Sequence, residues 1–353
     1  MAQVIAFRPR GGDGVAGPAA LVASVVNGRR SHEDVFWLKE NAELLNVLES
    51  AGQGDANLLT PYAPHAAALP ERLRFFPQYY RFLLSIALDL DDMGVPGVDS
   101  DAMARFVAKT RLFDSELSDL QRAEARRLLA RRAMHGAVRD PGLDGRLLSF
   151  AARSGTFALP NRKAAYELTH IVFYLTEYGR RDAALGDEVS KSLHFAGLVA
   201  LLEHNADLLA EICIAMLFTG AEPPAAWLAF VEGRRRASRI TTGAQTQLPD
   251  TYHDWLMAEW ARALSVGGLV GGGVTPGAFG FYVAPPDGPL RVLSNALLQS
   301  TRARSPDWPR MRLSVLADIG GQGRATLRLA EASGDLFDEF FVHFARTGRV
   351  GAG

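Results

Sequence analysis

Tyr166-Glu-Leu-Thr-His170-Ile-Val-Phe-Tyr174-Leu-Thr-Glu177-Tyr178-Gly179 decides how this chain is read. The stretch has the rhythm of one helix closed by a glycine. Residues four apart share a helix face, so Tyr166, His170 and Tyr174 form a row, with Glu167 and Glu177 beside it. The roughly opposite face carries Leu168, Ile171 and Leu175. A helix apolar on one side and aromatic-polar on the other is expected to be packed on both. Its polar side then faces a cavity or a polar network, the setting in which ligand sites are built.

Helical spacing continues in both directions. Upstream it predicts helices over 33–50, 73–93, 102–112, 115–135 and 142–154. Downstream it predicts 187–203, 205–218, 225–238, 251–266, 290–301, 309–319, 324–332 and 335–346. Asn161 or Pro160 opens the central helix, Asn205 caps the 205–218 helix, and Gly52, Gly94, Gly179 and Gly220 act as stops. A polar loop is expected from Thr241 to Gln247, and strand around Phe279 to Val283. No βαβ rhythm and no fixed repeat period is visible, which argues against a doubly wound sheet and the known repeat families. The expected fold is all-α: about a dozen helices in an α/α-toroid-like arrangement or a helical-hairpin array. The toroid is favoured because several mid-chain helices are apolar or aromatic on two faces. The expected organisation is a disordered N-terminal arm over 1–30, a main helical domain over 31–266, a Gly/Pro-rich loop over 267–286 and a C-terminal helical extension over 287–353.

Composition narrows the function classes. The 353 residues carry 38 Lys+Arg against 39 Asp+Glu, so no long-range field would hold nucleic acid or an anionic membrane. The apolar run Ala19 to Val26 is too short to span a bilayer, and no other stretch approaches that length. Cys213 is the only cysteine, which excludes an intramolecular disulfide and a multi-cysteine zinc site. A cytoplasmic protein is expected; the oligomeric state is not readable.

Three stretches resemble an uncharacterised helical family of alphaproteobacteria. They are Phe36-Trp-Leu-Lys-Glu-Asn-Ala-Glu-Leu-Leu45, Phe75-Phe-Pro-Gln-Tyr-Tyr-Arg-Phe82 and Glu116-Leu-Ser-Asp-Leu-Gln-Arg-Ala-Glu-Ala-Arg126, within a resemblance running from about Ser31 to about Trp260. Glu167-Leu-Thr-His170 with Phe173-Tyr174, then Asp207-Leu-Leu-Ala-Glu211 and Tyr252-His253, is more remotely similar to an actinobacterial helical family of unknown function. This chain has Glu177-Tyr178 where that pattern has Asp-Phe. Neither resemblance implies an activity; both direct attention to these residues.

Three constellations have the residue types that chemistry needs. His170 lies with Glu167 and Tyr174, where a carboxylate would orient the ring; the competing reading is a core histidine bonded to a neighbouring group. Asp207 and Glu211 stand four apart on an otherwise apolar helix; the competing reading is an exposed pair near a helix N-terminus. His253 follows Tyr252 in a first helical turn, where the helix dipole favours the neutral ring; the competing reading is a helix-end histidine in water. The expected catalytic set is His170, Tyr174, Glu167 and Tyr252, and the expected metal set is His170, Asp207, Glu211 and His253. Two imidazoles and two carboxylates suit Fe, Mn or Zn with an open position, and both rings are expected within about 8 Å of the carboxylates. His194 and His204 have no matching motif. These features point to a cavity-bearing, metal-dependent or acid–base enzyme acting on a small molecule. The alternative is a helical scaffold whose groove binds a peptide or protein.

Overall fold

The computed structural model describes residues 17–242, 250–284, 287–300 and 303–347. The chain begins with α1 (Pro18–Asn27) and α2 (Val35–Ser50). The short α3 (Ala63–Ala66) and α4 (Leu69–Phe75) lead to α5 (Tyr80–Asp92) and α6 (Ser100–Thr110). Next come α7 (Asp119–Ala130), α8 (Leu143–Ala151), α9 (Ser154–Phe157) and α10 (Arg162–Leu175). Then follow α11 (Asp187–Glu203), α12 (Ala206–Phe218), α13 (Ala225–Ala237), β1 (Arg239–Thr242), α14 (Tyr252–Val266) and β2 (Ala278–Tyr282). The chain closes with α15 (Leu290–Gln299), α16 (Trp308–Asp318), α17 (Gly321–Glu331) and α18 (Phe337–Phe344). Among the described residues none of these helices is long and apolar enough to cross a membrane.

Local chemistry explains the boundaries. The side chains of Asp34, Asp99, Ser118, Asn161 and Asn205 each accept a bond from a first-turn backbone N–H, the role of an N-cap. The continuous helix expected over 73–93 is two helices. Pro77 has no N–H to donate and sits in a short 3-10 turn between α4 and α5. The long helix expected from Ser115 begins only at Asp119, because Ser118 is extended and caps Gln121 N at 3.1 Å. The 205–218 helix starts one residue after Asn205, as a cap requires.

Among the described residues the fold is mainly α with one two-stranded sheet, whose second strand falls where strand was expected around Phe279. β1 and β2 pair antiparallel, Ile240 opposite Phe281, with an irregularity between Thr241 and Thr242. The first two residues of the expected Thr241–Gln247 loop are thus strand, and 243–247 lie outside the described residues. Buried residues on both sides of the Gly/Pro-rich stretch belong to one hydrophobic cluster, from Ala20 to Ala345.

Six helices close a ring. α2 packs on α5, α5 on α7, α7 on α10, α10 on α12, α12 on α14, and α14 returns to α2. The last helices form an outer layer, with α15 and α17 against α11. There Phe340 meets Phe195, and Phe341 meets Trp308.

The expectation of an N-terminal arm needs correction. Residues 1–16 lie outside the described residues, but Pro18–Asn27 is a helix whose Leu21, Val22, Val25 and Val26 are fully buried. Pro18 at the helix start and Gly28 after its end were legible signals, and an apolar run too short for a bilayer is long enough for a core helix. Arg29 then ties this helix to three distant segments. Its guanidinium bonds Glu40 at 2.9 and 3.1 Å, Asp250 at 2.9 and 3.1 Å, and the Phe279 carbonyl at 2.6 Å. We predict that Leu21→Ala lowers unfolding free energy by about 2–5 kcal/mol, as buried Leu truncations do. Chemical denaturation checks this; a change within roughly 0.5 kcal/mol, typical of surface sites, would detach α1 from the core.

Candidate functional site

The centre of the ring is a cavity of about 310 Å³. All six ring helices contribute: Glu43 and Asn46 from α2, Arg81 from α5, Glu124 and Arg127 from α7, His170 and Tyr174 from α10, Glu211 from α12, and His253 and Trp260 from α14. Phe173, Tyr174, Tyr178 and Trp260 make an aromatic wall, with Tyr178 stacked on Trp260 at 6.0 Å between ring centroids. Tyr178 reaches this position through an unusual turn: Glu177 and Tyr178 are both left-handed, at φ 50° and 55°.

The chemistry is organised around α12, which is apolar except for Asp207 and Glu211. One turn separates them, so both point to the same side. Asp207 accepts from the Tyr166 hydroxyl at 2.5 Å and from His253 Nδ1 at 2.7 Å. Glu211, 2 % exposed, accepts from the Thr169 hydroxyl at 2.6 Å. His170 Nδ1 donates to the Tyr166 carbonyl at 2.8 Å and lies 3.8 Å from Glu211 Oε2. His253 Nε2 lies 3.7 Å from Glu43 Oε1 and 4.0 Å from Glu211 Oε1. One ligand atom from each of Asp207, Glu211 and His253 falls within 4.8 Å of the others.

These partners set the protonation states. Burial alone would pull the His253 imidazole down, but Asp207, Glu43 and Glu211 outweigh it and carry it up to about 10. Burial pushes the Asp207 carboxyl up, and the His253 imidazolium with the Tyr166 hydroxyl more than reverses this, leaving it below the ordinary range. Burial raises Glu211 above the ordinary range, although His170 and His253 pull the other way. Both rings have Nδ1 committed to an acceptor. Once His253 loses a proton, its ring therefore turns an Nε2 lone pair outward.

The structure brings His170, Asp207, Glu211 and His253 together, with Tyr174 on the cavity wall. Two expected residues stand apart. Glu167 is half-buried on α10, and the bond to His170 Nδ1 comes from the Tyr166 carbonyl, not from that carboxylate. Tyr252 is next to His253, but adjacent helical residues diverge by roughly 100°. Its ring therefore lies under the Arg29 guanidinium, 4.1 Å from the centroid, outside the cavity lining. Neither is placed to touch a ligand in the cavity. The first-turn position of His253 also fails to keep the ring neutral, because three carboxylates outweigh its burial.

Sequence reasoning missed Glu43, Asn46, Arg127 and Thr169. Glu43 sits on a helix whose Lys39 and Glu40 make it look like a solvated charge pattern, and Arg127 lies within an arginine-rich run. A helical wheel aligning Lys39, Glu43 and Asn46 along one side of α2 was the signal available for the first.

Fold and site together define a helical protein with a central cavity walled by carboxylates, imidazoles and aromatic rings. Residues 1–347 match the family model described as a domain of unknown function, DUF6902, and the chain belongs to that family. No curated protein and no solved structure matches the chain.

A folded-state shift upward means that ionised His253 stabilises the fold fully below its unfolded value near 6.5, and that this contribution fades as pH rises toward about 10. We predict that chelator-treated protein loses thermal stability between pH 6.5 and 10, and that His253→Gln has a flatter profile across that window. Parallel profiles for the two proteins would mean that His253 carries no such charge.

Proposed function

We propose that the cavity binds a divalent transition metal and a small molecule together, and that the protein is a metal-dependent enzyme. His253 through Nε2, His170, Glu211 and Glu43 are the ligand set we assign. Asp207 stands behind them and orients His253 through Nδ1. The observation that carries this reading is the division of labour among the atoms. The groups facing the cavity are unsaturated there, while their outer atoms are held by Asp207, Thr169 and the Tyr166 carbonyl. A metal-bound histidine needs that arrangement, with its second nitrogen donated to a carboxylate or carbonyl. Direct bonds of about 2.0–2.2 Å place neighbouring ligand atoms roughly 3 Å apart, so the 3.7 and 4.0 Å gaps from His253 Nε2 to Glu43 and Glu211 close by small side-chain rotations.

Mixed imidazole and carboxylate ligands suit Fe, Mn or Zn. Such an ion with an open position polarises a carbonyl or activates a water. The proton on His253 balances three carboxylates now, and a cation would take over that role. Metal affinity should therefore rise with pH.

The ring of six helices supports the toroid-like reading of the fold, since its cavity lies where an inner rim would be. Small-molecule occupancy is supported by buried polar atoms without partners. Among the described residues, Asn46 Oδ1 and Trp260 Nε1 have no hydrogen-bond partner, and both belong to residues that line this cavity. A peptide-binding scaffold accounts less well for carboxylates and imidazoles from three helices meeting at one point of the cavity.

Metal analysis of freshly purified protein tests the reading. A stoichiometric transition metal is expected. His253→Ala and Glu211→Gln should each abolish it, and Asp207→Asn should weaken it about 10–100-fold, as loss of an orienting partner does. His194→Ala should retain it, because that ring packs on Trp227 away from the cluster. Wild type without metal even after reconstitution, or His253→Ala with metal unchanged, would leave the cluster as a structural salt bridge.

A further inference from the structure

Arg127 and Tyr174 also border a second cavity, of about 230 Å³, outside the ring. Its other lining groups include Arg126, His135, Arg181, Asp144 and Glu177. Three guanidiniums thus face two carboxylates. Arg126 is matched by Asp144, and Arg181 donates Nε and Nη2 to the Leu175 carbonyl.

Arg127 is the group without a match. It is 4 % exposed, and its Nε and Nη1 have no hydrogen-bond partner among the described residues. The neighbouring carboxylate oxygen, Glu177 Oε2, stands 3.8 Å from Nη1, beyond hydrogen-bond reach. Burial also raises the Glu177 carboxyl above its ordinary range, weakening it as a counter-charge. The Tyr178 ring covers the guanidinium at 4.6 Å, which attracts the cation but accepts none of its in-plane N–H bonds. A buried guanidinium with idle donors is unfavourable unless something accepts from it. The turn that places Glu177 and Tyr178 against it is itself strained, with both residues left-handed before Gly179 at φ 81°.

We propose that this outer cavity is an anion site, taking a phosphate-type oxyanion on Arg127 with Arg181 and His135 beside it. Nε–H and Nη1–H leave the guanidinium in different directions. Phosphate and carboxylate oxygens both take charge-assisted bonds from a guanidinium, and the higher charge of a phosphate-type oxyanion better offsets three guanidiniums that face two carboxylates. Free phosphate and a small phosphomonoester share this chemistry.

The test is calorimetric titration of chelator-treated protein with inorganic phosphate and, separately, glycerol phosphate, against sodium chloride at matched ionic strength. Saturable binding of at least one is expected, and the tighter of the two identifies the source. Arg127→Gln and Arg181→Gln should each weaken it about tenfold or more, the scale of one charged hydrogen bond. Glu177→Gln, which removes the competing carboxylate, should tighten it. The last two substitutions lie at partly or fully exposed positions and report even if Arg127→Gln fails to fold. His253→Ala should leave phosphate binding intact, so this site and the metal reading fail separately. No saturable binding, no response to Arg181→Gln and Glu177→Gln, or loss in His253→Ala alone would overturn the proposal.

Discussion

A carboxylate taken out of water into an apolar helix bundle is unfavourable by several kcal/mol unless its oxygens are met. Helix α12 carries two, and the helices around it are arranged to meet them. Tyr166 and Thr169 come from α10, and His253 comes from α14. Neither neighbour can slide along α12 without stripping a buried charge, so the register of all three is fixed together. Glu43 on α2 faces the same imidazole at 3.7 Å, which extends the constraint to a fourth helix.

The same rule operates at the ring's periphery. Arg29 is wholly buried between Glu40 and Asp250, which clamps α1 to α2, to the start of α14 and to β2. Asp89, also wholly buried, is met by Arg131 at 2.7 Å on Oδ1, while its Oδ2 has no hydrogen-bond partner among the described residues. Against that background the unmatched atoms gain meaning. Asn46, Trp260 and Arg127 line the central cavity, and Arg127 also borders the outer one. Arg127 is the case that lies against space for a ligand with two guanidinium nitrogens unpartnered among the described residues.

Much of this was legible from side-chain type and spacing. Asp207 and Glu211 were conspicuous on an otherwise apolar helix, His170 in a polar-aromatic row and His253 in a first helical turn, and Asn161 and Asn205 announced their helix starts. What escaped was information that spacing does not hold. Glu43 and Arg127 sit on helices whose charges resemble a solvated face, and only the closing of the ring turns those faces inward. Tyr252 was misjudged because sequence adjacency was taken for proximity, whereas helical geometry sends its ring to Arg29. Glu167 was assigned an orienting role that the Tyr166 backbone carbonyl fills. β2 lies where strand was expected around Phe279, whereas the four residues of β1 run from just past an expected helix end into an expected loop, and the Pro18 helix was read as part of an arm although Pro18 and Gly28 mark its ends.

The central claim is that two imidazoles and the carboxylates beside them form one coordination sphere. X-ray absorption spectroscopy of the protein loaded with Co(II) addresses it most directly. The account predicts a mixed nitrogen and oxygen shell at about 2.0–2.2 Å, with the outer-shell scattering that two coordinated imidazoles produce. A shell of oxygen alone, without imidazole scattering, would contradict it and place the ion on other carboxylates of the chain.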